Sequence, residues 1–205
     1  MTERERGGAT APSALAMTRV VQDLALAAGD TAARTAIYGS IVLVLAELTG
    51  QADASCSAFR DDAVLAAARR EVPADVVAAM GDWIGGRWGE VVAAGAVLDA
   101  LDEVNLEPMP HLTAGALAYR AAAQELALEA GESTACVAWA GGQATARWLR
   151  LYGGRILDSL AELAAGDPVL TAAGRELPNC EKDRVTDFML DRWERIDELA
   201  SERAS

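Results

Sequence analysis

Hydrophobic positions in this chain recur at three- and four-residue intervals, and no segment alternates with period two, so every predicted element is a helix. The spacing predicts a first helix over about 12–28, with Gly29 placed for a left-handed C-terminal cap and Thr31 as the N-cap of a second helix. The same grammar returns over about 112–130, with Gly131 and Ser133 in those roles. Breaks follow at Gly50 and at Gly153-Gly154, each leading into a short helix. Asp62 and Asp167 are then N-caps of further helices that Pro73 and Pro178 end, and Pro168 takes a first helical turn, where its missing N–H is harmless. Val77, Met80, Ile84, Trp88, Val91 and Leu98 form an apolar stripe that predicts one long helix over about 74–105. Val185, Met189, Trp193, Ile196 and Ala200 do the same from 179 onward.

These parallels extend to residue identity. Segment 14–36 matches 116–138 without a gap at an offset of 102, with 11 of 23 positions identical. Segment 62–73 returns as 167–178 at an offset of 105, and there Asp82, Trp83, Arg87 and Trp88 meet Asp187, Phe188, Arg192 and Trp193. The expected fold class is all-α: a tandem duplication of a four- to five-helix unit, packed as one pseudo-twofold helical body. Its expected organisation is a tail over 1–11, repeat 1 over 12–105, a proline-rich linker over 106–111 and repeat 2 over 112–205. The first helix of each repeat is apolar on two faces and is expected to be sandwiched. Gln22 and Gln124 then sit between leucines and should find hydrogen-bond partners across the repeats. Arg70-Glu71 and Arg175-Glu176 close their helices, where arginine suits the negative end.

Composition narrows the function classes. A formal net charge of -13 opposes any affinity that depends on neutralising phosphates, so no nucleic-acid partner is expected. The most apolar run, 37–46, has about half the roughly twenty residues that a bilayer crossing needs. Arg19 and Asp23 interrupt what would have to be the apolar segment of an export signal. Cys56, Cys136 and Cys180 are odd in number and widely spaced, which suits reduced thiols in a cytoplasmic protein. Only one histidine, His111, and one lysine, Lys182, are present, so no multi-histidine metal site is expected and no cofactor is implied. The acidic faces at Asp99, Asp102 and Glu103, and at Glu194 and Asp197, read as solvated surface.

Candidate chemistry lies where the repeats differ. The second helix of repeat 1 is almost wholly apolar at 41–46, whereas its counterpart carries Arg147, Trp148, Arg150, Tyr152 and, just beyond, Arg155. Arg147 and Arg150 share one helix face, and Trp148 and Tyr152 the adjoining one. Paired guanidinium forks beside aromatic area suit a carboxylate or phosphate ligand or an acidic partner. The leading expectation is therefore a non-catalytic binding or regulatory protein that recognises a protein partner or a small anionic ligand; a homodimer is compatible with it. The alternative is a small-molecule enzyme with a pocket between the repeats, lined by Trp83, Trp88, Phe188 and Trp193, and with a buried Asp82 or Asp187 as acid or base.

Overall fold

Local capping chemistry sets the helix boundaries in the computed structural model, which describes residues 12–50, 62–102, 113–154, 157, 160–164 and 166–204. The proposed tail and linker, His111, Cys56 and Arg155 lie outside the described residues. Ser13 opens α1 (Ala14–Ala27) by accepting from the Ala16 N–H, and Thr31 opens α2 (Ala32–Leu48) by accepting from Arg34. Between them Gly29 takes a φ of 80°, which only glycine adopts freely. Thr113, Gly131 and Ser133 repeat this arrangement around α6 (Ala114–Glu129) and α7 (Thr134–Leu151), again with a φ of 80° at the glycine. Asp62 caps α3 (Ala63–Glu71) and Asp167 caps α9 (Pro168–Glu176), as the sequence pattern predicts. The short helix of the second half is α8 (Ala161–Ala164).

Each expected long terminal helix is instead two helices. One stripe divides into α4 (Ala74–Gly85) and α5 (Trp88–Asp102), and the other into α10 (Asn179–Asp191) and α11 (Trp193–Ala204). The i→i+3 bonds from Arg87 N–H to Ile84 O and from Arg192 N–H to Met189 O tighten the chain at these joints. In the first half Gly85-Gly86 supplies the helix weakness. The second joint has no glycine, and periodicity alone passes over it. At both joints an arginine covers the ring one turn back: Arg87 lies over Trp83 at 4.8 Å and Arg192 over Phe188 at 4.0 Å.

All described elements are helices, and none is long and apolar enough to cross a membrane. The core is built on α2 and α7. In the first half α2 packs against α1, α3 and α4; in the second, α7 packs against α6, α9 and α10. Between the halves α9 lies on α1 and α2, α3 lies on α6 and α7, and α2 touches α7. The two outermost helices pack on the first helix of their own half, α5 on α1 and α11 on α6. Met17, Ile37, Ile84, Leu149, Leu170 and Ile196 are the largest fully buried side chains, so apolar burial spans both halves.

Two acid–amide contacts tie the halves together. Glu71, at the end of α3, accepts from the Thr134 N–H and Oγ1 at the start of α7. Glu176, at the end of α9, accepts from the Ala32 N–H at the start of α2, at 3.1 Å. The neighbouring arginines bind carbonyls of the opposite half, Arg70 to Glu132 O at 2.9 Å and Arg175 to Leu26 O at 3.1 Å. Arginine does serve a negative helix end here, but in Arg175 that end belongs to α1 and not to its own helix.

The glutamines correct a second expectation. Neither bridges the halves: Gln22 lies on Gly39 of α2 and Gln124 on Gly141 of α7, and the Gln124 Nε2 is buried without a hydrogen-bond partner. A Cβ at Gly141 would come 2.8 Å from both Cγ and Cδ of Gln124, a side chain only 5% exposed. Gln22 is half-buried and can swing outward. Gly141→Ala is therefore expected to destabilise by about 1–3 kcal/mol through overpacking, whereas Gly39→Ala stays within about 1 kcal/mol of neutral because improved helix propensity offsets the contact. Urea unfolding of both variants measures the difference, and equal losses would refute this account of Gln124.

Candidate functional site

The end of α7 creates the site. Its last turn closes with the Tyr152 N–H donating to Trp148 O at 2.8 Å, and Gly154, at a φ of 63°, turns the chain away. That turn folds the Tyr152 ring back beside Trp148, with centroids 6.3 Å apart. The indole of Trp148 rests on Gly115 in the first turn of α6, where a Cβ would sit 2.7 Å from its Cζ2. One turn further along α6, Tyr119 meets Tyr152 at 5.8 Å and Trp193 of α11 at 5.5 Å. Arg147 lies over Trp193, 4.4 Å from its centroid.

Two recesses flank this segment. The first, about 400 Å³, is bounded by Gly115, Tyr119, Trp148, Tyr152, Asp197 and Ser201. The Tyr119 hydroxyl donates to Asp197 Oδ1, and the Tyr152 hydroxyl approaches the same oxygen at 3.4 Å. Burial, reinforced by that bond to Asp197, pushes the Tyr119 phenol above its ordinary range, so it remains a donor across the physiological pH range. The second recess, about 430 Å³, contains Gln143, Arg147, Arg150, Thr186 and Trp193 on an otherwise apolar wall. Gln143 Nε2 donates to Thr186 Oγ1 at 3.1 Å, and that hydroxyl donates in turn to Lys182 O at 2.8 Å.

The charges of the two recesses are opposite. Among the described residues no carboxylate lines the second, and the buried Arg147 Nε has no hydrogen-bond partner. Among the described residues no cationic side chain lines the first, which holds the carboxylate of Asp197. The basic and aromatic cluster read from the sequence as one surface is thus divided by the helix itself. Arg147 and Arg150 face one recess, and Trp148 and Tyr152 the other.

The pocket residues of the enzymatic alternative are placed differently. Asp82 and Asp187 are exposed, so neither is the buried acid that this reading requires. Trp83 is also exposed and packs edge-on against Tyr38 at 5.7 Å. Trp88, Phe188 and Trp193 are half-buried against the core. Of that set only Trp193 lines either recess.

Sequence reasoning missed Tyr119, Gln143 and Thr186, and took Asp197 for surface. Tyr119 and Asp197 occupy positions where the first half has Met17 and Val92 at the matching offsets, so comparison of the halves could have found them. The reading of Asp197 as solvated surface is corrected by its place under two phenols, and that of Asp99 by its bonds from the N–H and Oγ of Ser13. Among the described residues no group of histidine, cysteine and carboxylate side chains is arranged to hold a metal ion. Comparison with protein-family models, curated proteins and solved structures finds no match for this chain.

Proposed function

We propose that this is a cytoplasmic, non-catalytic binding or regulatory protein whose second half takes a small anionic ligand, a carboxylate or a phosphate, between Arg147 and Arg150. The observation that carries this reading is the state of Arg147. In a chain of net charge -13, its guanidinium lies on the Trp193 face in a recess whose described residues include no carboxylate, and its buried Nε is unpaired. A buried donor of that kind costs free energy until an acceptor arrives. Arg150 adds an exposed second charge at the same recess.

Underneath lies a tandem duplication closed about a pseudo-twofold axis, with repeats at 12–105 and 112–205. Its support is reciprocity: α9 on α1 and α2 answers α3 on α6 and α7, and Glu176 at α2 answers Glu71 at α7. One repeat then serves as scaffold and the other carries the ligand. At the matching positions of the first half, Leu45 and Leu48 replace the two arginines.

Calorimetric titration with inorganic phosphate and with succinate tests the reading. Each charge-assisted hydrogen bond contributes about 1.5–3 kcal/mol, so Arg147→Ala is expected to weaken binding about ten- to a hundredfold. Arg147→Lys should not restore it, because an ammonium cannot reproduce the fork. Absence of saturable binding of either probe, or undiminished binding by the Arg147→Ala/Arg150→Ala double variant, would sink the proposal. An acidic peptide that binds where neither small anion does would move the ligand to a protein partner.

A further inference from the structure

We propose that the first recess is a second, independent ligand site, in which the aromatic faces of Tyr119, Trp148 and Tyr152 and the carboxylate of Asp197 bind a methylated ammonium group carried by a small molecule. The chemistry follows from what lines it. Three rings and one carboxylate converge on about 400 Å³, within the size range of small-molecule sites, and the rest of the wall is glycine, alanine and one serine. Ring faces carry negative charge density and attract a cation that has shed its water. Asp197 is fixed by the Tyr119 hydroxyl, which places its negative charge in the wall without a cationic partner in the recess.

The same geometry selects the kind of cation. A primary ammonium brings three N–H donors, yet Oδ1 of Asp197 is already held by Tyr119 and approached by Tyr152, which leaves Oδ2 as the one uncommitted carboxylate oxygen to receive them. A quaternary or trimethylated nitrogen has no donors to satisfy. It presents a weakly hydrated, apolar surface that suits ring faces and needs only an opposite charge nearby.

Nothing in the scaffold demands this set of residues. At the matching offsets the first half has Ser13 for Gly115, Met17 for Tyr119, Ala46 for Trp148, Gly50 for Tyr152 and Val92 for Asp197. There Met17 packs into the gap between α1 and α5, and a Cβ at Gly95 would come 2.9 Å from its Cγ. The helix pair therefore closes without any cage, and the second half departs from it at five positions that all border one recess.

Calorimetry with choline and with its uncharged carbon isostere 3,3-dimethylbutanol tests the proposal on the full chain. Choline should bind saturably and the isostere at least about tenfold more weakly. Tyr152→Ala, at a position 57% exposed, should weaken choline about tenfold, while Tyr152→Phe, which keeps the ring, stays within about twofold. Asp197→Asn should also weaken choline about tenfold. Arg147→Ala should leave choline binding unchanged while weakening that of succinate about ten- to a hundredfold, so either site can fail alone. Equal binding of choline and its isostere, indifference to Tyr152→Ala, or no choline binding at all would overturn the inference. Binding of a trimethyl-lysine peptide in preference to choline would overturn its assignment to a small molecule.

Discussion

Arg120→Met is expected to lower the unfolding free energy by about 3 kcal/mol at neutral pH, the low end of what loss of one partner from a buried ion pair costs. The low end applies because the Arg120 side chain is 28% exposed and that of Asp167 16%. For a chain of this size the loss corresponds to roughly 6–12 °C in melting temperature. Arg120 stands between two carboxylates, bonded to Asp167 and close enough to Asp62 to act on it electrostatically. Both acids are N-caps, with Asp62 accepting from Val64 N–H at 2.8 Å and Asp167 from Leu170 N–H at 2.9 Å. Without the arginine they are left facing each other.

Their titration gives the prediction a pH signature. Burial pushes the Asp62 carboxyl up, and its amide bond and Arg120 offset that only in part. Burial also works upward on Asp167, but there Arg120 and the amides of Leu170 and Val169 win and hold it below the ordinary carboxylate range. A lowered carboxyl contributes stability that is present above its unfolded pKa, about 3.9, and is lost as pH falls through the folded value. A raised one contributes stability that is complete below the unfolded pKa and is lost as pH rises through the folded value. In the variant, protonating one acid relieves the repulsion, so its deficit should shrink between pH 7.5 and pH 4.5. Asp62→Asn should recover more than half of the deficit, since asparagine caps as well as aspartate, whereas in the native background it should be neutral or mildly stabilising. Urea titrations at the two pH values check this, and a deficit that is equal at both would refute the electrostatic explanation.

Arg120 marks the limit of what the chain discloses by itself. The caps at Ser133, Asp62 and Asp167 and the glycine turns at 29 and 131 are legible, because each acts within a few residues of itself. The all-helical class is legible for the same reason, through its periodicity. The joint at Arg192 is not, because the apolar stripe runs on across it from Met189 to Trp193 and Ile196. The glutamines mislead more instructively. An amide between leucines implies a partner, yet at Gln124 close packing on Gly141 prevails and Nε2 goes unpaired. At the site, helical spacing places Arg147 and Arg150 on one face and Trp148 and Tyr152 on the next. That these faces open onto separate recesses depends on Tyr119, Thr186 and Asp197, which arrive from three other helices.

Glu71→Ala is expected to cost about 2–4 kcal/mol, and Glu176→Ala only about 1–2 kcal/mol, although the two glutamates hold equivalent places. The difference lies in what each leaves behind. Glu71 accepts from both the amide and the hydroxyl of Thr134, a residue with no exposed surface, so its loss strands two donors at the buried start of α7. Glu176 accepts from the Ala32 amide alone, so its loss strands one donor; the side-chain caps survive in both cases, Thr31 on Arg34 N–H and Ser133 on Cys136 N–H, each at 3.3 Å. Both bonds cross between the halves, so weakening them also loosens the seat of α3 on α7 and of α9 on α2. Because Thr134 strands a hydroxyl, Thr134→Val in the Glu71→Ala background should recover part of the loss, although in the native background the same change removes a hydrogen bond and destabilises. A double-mutant cycle of Glu71 and Thr134, followed by urea unfolding, isolates this term. A coupling energy near zero would mean that the Glu71–Thr134 bonds contribute nothing to the cohesion of the halves.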